Sequence, residues 1–434
     1  MKYQKTALLS GAVTLVLLMS ACSQAVFQSD TPAYPTFNLV GAPTDRNVTY
    51  ELNITGDGMT PITRTGIGPT SGSLTLEVPA GRDRTFELLA ENDVYSGITT
   101  TSLAGGRENR VTLPILPGPV FVDFDGGTEE PGPRLFQIRD LGVPSSSVTD
   151  EDDNRGREVF LSEFTPVDVA YGATSGLLYV LDEFAGQIAT LDDLSDSENI
   201  DNLDGPDEII SNPLLLDVNE AAGTVVLMTF NAFYTNDIQD PGVWTESSFE
   251  SGSDAPPTGV AISDDGFLYV VADIYVFEDD VEVSGPALLR INPDVPEDRQ
   301  YVTLPGTQSV PGYSAFSGPP TWGDVRIIDD RVYVISAVAG EGNPAVYQYD
   351  LDLDLVAEWG TTTTASEPED GEFWGPRRFV ATRRDDELIV IDQKDNFEEP
   401  LDGSGRLVRF EFGTTDGWQT FGEGEFGFFD TSVS

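Results

Sequence analysis

The chemistry open to this 434-residue chain is narrowed first by what it lacks: it has no histidine and a single cysteine, Cys22. Without histidine the usual general base near neutral pH is missing, as are His-containing triads and the commonest zinc, copper and non-haem iron sites. A lone cysteine forms no internal disulfide and leaves Cys22 as the one thiol. No G-x-S-x-G elbow, phosphate-cradling glycine loop or dinucleotide fingerprint follows a strand-like run. Two acidic stretches are weak as calcium loops: Asp350, Asp352 and Asp354 lack the glycine turn such a loop needs, and Asp123 with Asp125 and two glycines is too short. The sequence therefore assigns no catalytic residue, no metal and no cofactor, and an enzymatic role is disfavoured.

Two segments share a W-G-x-x-R frame, Trp322 to Arg326 and Trp374 to Arg378. Indole rings beside guanidinium groups bind sugars or peptides by stacking and bidentate hydrogen bonding. Trp322, Arg326, Trp374 and Arg378 are therefore the candidate ligand-binding residues. The competing reading is packing between structural repeats, with each arginine paired to the plentiful acids. Asp182, Asp273 and Asp392 recur at one repeat position. They fit either a ring around a channel that holds a cation or, more simply, caps that accept backbone N–H groups at turns. Aromatic residues in long insertions, among them Phe233, Tyr234, Trp244 and Phe373, suit either a binding loop or the plugging of gaps.

The elements that would position these groups are strands. The stretch from Phe164 to Asp192 reads as strand, glycine turn, strand, turn, strand. Four further blocks follow, built around Pro213–Met228, Pro257–Ile291, Trp322–Tyr349 and Trp374–Phe410. Tyr179 and Tyr269 lie two steps apart at about 45 residues per step, enough for one four-stranded sheet each. Leu178–Asp182 and Leu268–Asp273 are nearly continuous apolar runs, as expected of strands covered on both faces. A single such sheet cannot bury both faces, so neighbours must stack. The chain is thus read as all-β, with a β-propeller over residues 134–434. The wording P-x-x-V-A, G-x-L-Y-V-x-D resembles the NHL repeat family, which implies six blades where five are visible. The missing blade is expected to combine Leu135–Ile138 with the C-terminal strands.

Residues 36–125 show strict period-two alternation: Val48, Tyr50, Leu52 and Ile54; Leu74, Leu76 and Val78; Val111, Leu113 and Ile115. Strands with one wet face and one buried face, separated by glycine turns, make a β-sandwich of about six or seven strands. Its phrases VPAGRDRTFELLA and NRVTLPI resemble transthyretin-like and carboxypeptidase-regulatory-like sandwiches, which implies a spacer and no activity. Residues 126–133, rich in Pro, Gly and acid, read as a linker.

The first 21 residues carry Lys2 and Lys5, then an apolar run from Ala7 to Met19, as in a secretory signal peptide too short to span a bilayer comfortably. Met19-Ser20-Ala21-Cys22 resembles the lipobox of bacterial lipoproteins, with Met where Leu is usual. The resemblance implies cleavage before Cys22, acyl chains on that residue, and a polar tether over 22–35. Several chains anchor stably because each buried methylene contributes about 0.8 kcal/mol. By resemblance to the enterobacterial lipoprotein sorting rule, Ser23 after the cysteine implies the outer membrane over the inner one within the bacterial envelope. The net charge of −51, with 74 acidic against 23 basic residues, makes nucleic acid a poor partner and suits a saline surrounding. The expected function is a membrane-anchored binding or scaffolding module for a protein, peptide or glycan. The alternative is a calcium-dependent hydrolase resembling gluconolactonases, whose Glu/Asn/Asp set finds no matching positions here.

Overall fold

The computed structural model describes residues 32–41, 48–68, 76–90, 95–123, 134–137, 157–159, 165–182, 187–191, 201–203, 213–240, 243–249, 256–278, 281–304, 322–336, 343–363, 365, 369, 371–382, 387–393, 405–411 and 418–421. Cys22 lies outside them. All helical or strand structure among them is β-strand, so the chain is all-β. It divides into two compact units, 1–118 and 119–434.

The first unit contains two sheets among the described residues. One orders Val78–Pro79, Pro32–Val40 and Glu108–Pro114; the other orders Ile62–Ile67, Tyr50–Thr55, Gly81–Ala90, Tyr95–Leu103 and Leu116–Pro117. Alternation decides what lies between them. Tyr50, Leu52 and Ile54 are buried while Glu51 and Asn53 are not, and Val111 and Leu113 behave alike on the other sheet. Both sheets feed one core, in which Phe37 meets Phe86 edge to face with ring centroids 5.3 Å apart. The first strand starts at Pro32, inside the stretch read as tether. Seven of its residues, from Tyr34 on, pair in parallel with Glu108–Pro114, which gives that stretch a ladder to join.

Arg84 is buried in this unit and donates to the carbonyls of Asp57, Ala80 and Pro79 at 2.6, 3.0 and 3.2 Å. A Cβ on Gly81 would stand 2.1 Å from the guanidinium, so only glycine leaves room for it.

The second unit is a succession of six sheets among the described residues, each an antiparallel meander. Their first strands are Val120–Asp123, Pro166–Tyr171, Pro213–Asn219, Gly259–Ile262, Trp322–Ile328 and Pro376–Phe379. We number the sheets 1 to 6 in that order. Sheet 5 carries an additional strand, Glu372–Phe373, parallel on its outer edge.

Each first strand packs on the first strand of the next sheet, from sheet 1 through sheet 6. The series closes on itself. Val120 donates to the carbonyl of Ala381 at 2.9 Å and Ala381 donates back at 3.0 Å, joining sheet 6 to sheet 1. Sheets arranged radially around a closed ring of innermost strands are the architecture of a β-propeller.

The apolar second strands hold the ring together. Successive side chains point to opposite faces, so Leu178 and Val180 enter the core shared with sheet 1, while Tyr179 and Leu181 enter the core shared with sheet 3. In sheet 4, Leu268 and Val270 face sheet 3, and Tyr269 and Val271 face sheet 5. Burial of each such side chain contributes about 1.5–3 kcal/mol. This two-sided burial is why these runs are continuously apolar.

Sheet 1 differs from expectation. Arg134–Gln137 pairs with Val120–Asp123 and Arg157–Val159, not with the C-terminal strands. Trp418–Phe421 is instead the outer strand of sheet 6. Val120–Asp123, read from sequence as the end of the sandwich, is an innermost strand: Val120 and Val122 share a core with Leu135 and sheet 2.

Candidate functional site in the central cavity

Four innermost strands carry an irregularity just after their first residue, between Pro166 and Asp168, Pro213 and Leu215, Trp322 and Val325, and Pro376 and Arg378. Bulges re-aim the side chains beside them. Asp168 and Arg378 follow directly in sheets 2 and 6, and Asp324 lies within the bulge of sheet 5. Two residues further along, Asp217 in sheet 3 and Arg326 in sheet 5 form a second level.

Among the innermost strands lies a cavity of about 430 Å³. Asp168, Asp217, Asp324 and Arg326 contribute to its wall, with Val, Ala and Ile between them. The turns after the first strands bring Glu220, Asp264, Asp329 and Asp330 to the same cavity. Asp329 and Asp330 both have positive φ, 50° and 57°, in the two-residue turn between Ile328 and Arg331. Positive φ at both central positions is the signature of a type I′ hairpin turn.

Each inner carboxylate reaches across to the next sheet. Asp168 accepts from the Leu216 N–H at 2.8 Å, Asp217 from Ile262 at 2.7 Å, and Asp324 from Phe379 at 3.2 Å. Arg326 makes the complementary contact, donating to the carbonyls of Val380 at 2.8 Å and Thr382 at 2.7 Å. Arg378 stands 3.6 Å from Asp168. Between sheets 4 and 5 the Thr258 hydroxyl donates to the Gly323 carbonyl at 2.8 Å. The rim repeats the device: Glu220 accepts from Ser175 at 2.7 Å and from Thr174, and the Asn219 amide donates to Ile262 O at 2.9 Å and Asp264 at 3.0 Å.

Burial lifts the proton affinity of all three inner carboxylates. Asp324 is pushed up to about 7, first by burial and then by the charge of Asp168, against the pull of Arg378 and the N–H groups of Val325 and Phe379. Asp217 is pushed up to about 6 by burial, opposed by the N–H groups of Ile262 and Val218 and by Arg326. Asp168 is raised by burial and held back chiefly by Arg378. Carboxyl groups that change charge near neutrality can exchange protons or pair with polar and cationic groups. No group of three or more acidic, Cys or His side chains among the described residues is placed to hold a metal ion.

The sequence-predicted residues divide. Arg326 lines the central cavity, whereas Arg378 meets it through Asp168, 3.6 Å away. Trp322 is the first residue of its strand, paired with Ser336; its side chain lies outside the described set. Trp374 precedes its strand, and its indole donates to the Ala365 carbonyl at 2.7 Å. The shared W-G-x-x-R frame is therefore out of structural register: Trp322 aligns with Pro376, not with Trp374, and Arg378 with Asp324, not with Arg326.

Asp182 accepts from the Thr165 N–H at 2.8 Å, and buried Asp392 accepts from Gly375 at 2.8 Å and Trp374 at 3.2 Å. Both hold the segment leading into an innermost strand. Asp273 is half-buried and pairs with Pro286. Phe233 and Phe373 are core residues. Asp168, Asp217 and Asp324 were not singled out by sequence, although each opens an Asp-Val pair in the first strand of its block.

The site thus belongs to a β-propeller with a polar, acid-rich central cavity. No known family description matches the chain, and no curated protein resembles it in sequence. Among solved structures it is similar to a putative TolB from Agrobacterium tumefaciens, at 14% identity over 59% of this chain and 81% of that one, with a TM-score of 0.38. It is also similar to a putative 6-phosphogluconolactonase from Bacteroides uniformis, at 12% identity over 70% and 83%, TM-score 0.39. A protein from Lactobacillus plantarum matches at 15% over 68% and 92%, TM-score 0.38. These likenesses are too distant to bear on activity.

Proposed function

We propose that this is a bacterial envelope lipoprotein held by acyl chains on Cys22, with the first unit as a transthyretin-like spacer sandwich. Its six-bladed, NHL-like propeller is a non-enzymatic binding module for a protein, peptide or glycan. The observation that supports a binding role most directly is the central cavity. Its charged walls are fixed in advance by cross-sheet bonds to backbone groups, so a ligand meets an ordered polar surface and little ordering cost remains. The same bonds occupy the carboxylates that a catalytic role would have to free. A net charge of −51 turns nucleic acid away and leaves neutral or cationic ligands.

Two measurements test this. Cys22→Ala should release the protein from membranes into the soluble fraction; tight membrane association that persists would remove the lipid anchor from the proposal. Thermal unfolding at constant high salt, with glycans, cationic peptides, lactones and calcium in turn, should show a midpoint rise with a glycan or peptide. A response to calcium coupled to lactone hydrolysis would replace the binding module with a hydrolase.

A further inference from the structure

The three inner carboxylates sit at seams of the ring. Asp168 spans sheets 2 and 3, Asp217 spans sheets 3 and 4, and Asp324 spans sheets 5 and 6. They share one cavity, and the cations facing them among the described residues are Arg326 and Arg378. Arg326 is already committed to the carbonyls of Val380 and Thr382, and Arg378 lies nearest Asp168. Sheet 1 presents Val120 and Val122 to sheet 2, together with buried Gln137, whose amide donates to the Tyr171 hydroxyl at 3.5 Å in the cavity wall, and Gly259–Ile262 of sheet 4 has no ionisable side chain. The rim adds Glu220, Asp264, Asp329 and Asp330, all of the same sign. Three negative charges and one positive one, Arg326, therefore line a recessed space ringed by further acids, with Arg378 beside Asp168. Among the described residues, a fully ionised set is left with a net negative charge that a proton or a bound cation would neutralise.

We propose that Asp168, Asp217 and Asp324 form a proton-operated clamp on the ring: a proton taken up by the set holds the seams closed, and its loss as the pH rises loosens them. A neutral carboxyl still accepts the neighbouring N–H through its carbonyl oxygen, so the seam bond survives protonation. Ionisation strengthens each bond locally but leaves a desolvated charge beside another of like sign, which draws the carboxylate out toward water.

The sign follows from linkage. These groups have higher proton affinity in the folded ring than in the unfolded chain, where ionisation falls near the ordinary 3.8. The folded state thus binds more protons between about pH 4 and 7, and stability declines across that interval as pH rises, by about tenfold in the folding constant per pH unit per proton.

The test compares the whole chain with Asp324→Asn at constant high salt, since asparagine keeps the acceptor oxygen without the charge. Hydrogen exchange at about pH 5 and about pH 8, each corrected for intrinsic rate, reads the seams separately. The Phe379 amide, bonded to Asp324, should lose at least about tenfold in protection at the higher pH. The amide of Val380, bonded within its own sheet to Ile389 at 2.9 Å, should change less. In Asp324→Asn the extra loss at Phe379 should vanish. Equal behaviour of the two amides in the parent, or an undiminished pH effect at Phe379 in the variant, overturns the clamp. Should Asp324→Asn fail to fold, Asp217→Asn read at the Ile262 amide decides the question in the same way.

Discussion

Asp330 shows how a single residue trades stability for position. With φ at 57° it occupies a conformation where glycine has no Cβ penalty, and its exposed carboxylate stands at the cavity rim. Asp330→Gly should stabilise the protein by about 0.5–1 kcal/mol, measured as a rise in urea midpoint without a change in slope. Arg84 is the opposite case. Replacing it with methionine leaves the carbonyls of Asp57, Ala80 and Pro79 without their buried donor, and the loss should be about 3 kcal/mol or more in the same measurement. Neither role is legible in sequence. An Asp-Asp pair before Arg331 reads as any polar turn, and an arginine inside an alternating strand reads as a solvent-facing one. The inner aspartates were hidden for a related reason: attention falls on Asp182 and Asp392, which end the apolar strands, whereas Asp168 and Asp324 owe their aim to bulges that leave no mark in the residue pattern.

At the scale of strands and sheets, close approach governs the seams. A Cβ on Gly259 would lie 2.6 Å from the Val325 nitrogen, and one on Gly323 would lie 2.4 Å from the Arg377 carbonyl. Gly259→Val should therefore force sheets 4 and 5 apart and lower the thermal midpoint, by an amount equivalent to about 1–3 kcal/mol. The apolar second strands were readable because burial on both faces imposes an uninterrupted run, as in Leu178–Asp182. The register of the first strands was not, because Trp374 precedes its strand by two residues while Trp322 opens its own, and nothing in the shared wording marks where either strand begins. Val120–Asp123 was assigned to the preceding domain for want of any signal beyond a short apolar run; its pairing with Arg134–Gln137, its bonds to Ala381 and the core it shares with sheet 2 identify it.

For the whole molecule, charge sets the working conditions. With 74 acidic and 23 basic residues, self-repulsion opposes compaction, and salt screens it over about 10 Å at 0.1 M and about 3 Å at 1 M. The thermal midpoint should climb as potassium chloride is raised from the first of these concentrations to the second. A flat or falling response would place the acidic residues in compensated networks.

The bond pair between Val120 and Ala381 carries a consequence for biogenesis. These residues are roughly 260 apart in the chain, so the contact that completes the circle is among the most non-local in the molecule, and such contacts slow folding. A chain emerging from its amino end presents the flank of its first blade long before the last blade exists to cover it. Until then the nascent molecule is an incomplete arc with two unpaired flanks, each a template for a neighbouring polypeptide. Deleting the final blade should not yield a smaller propeller but a population that associates through those flanks, visible by light scattering as a larger mass than the intact chain shows at the same concentration.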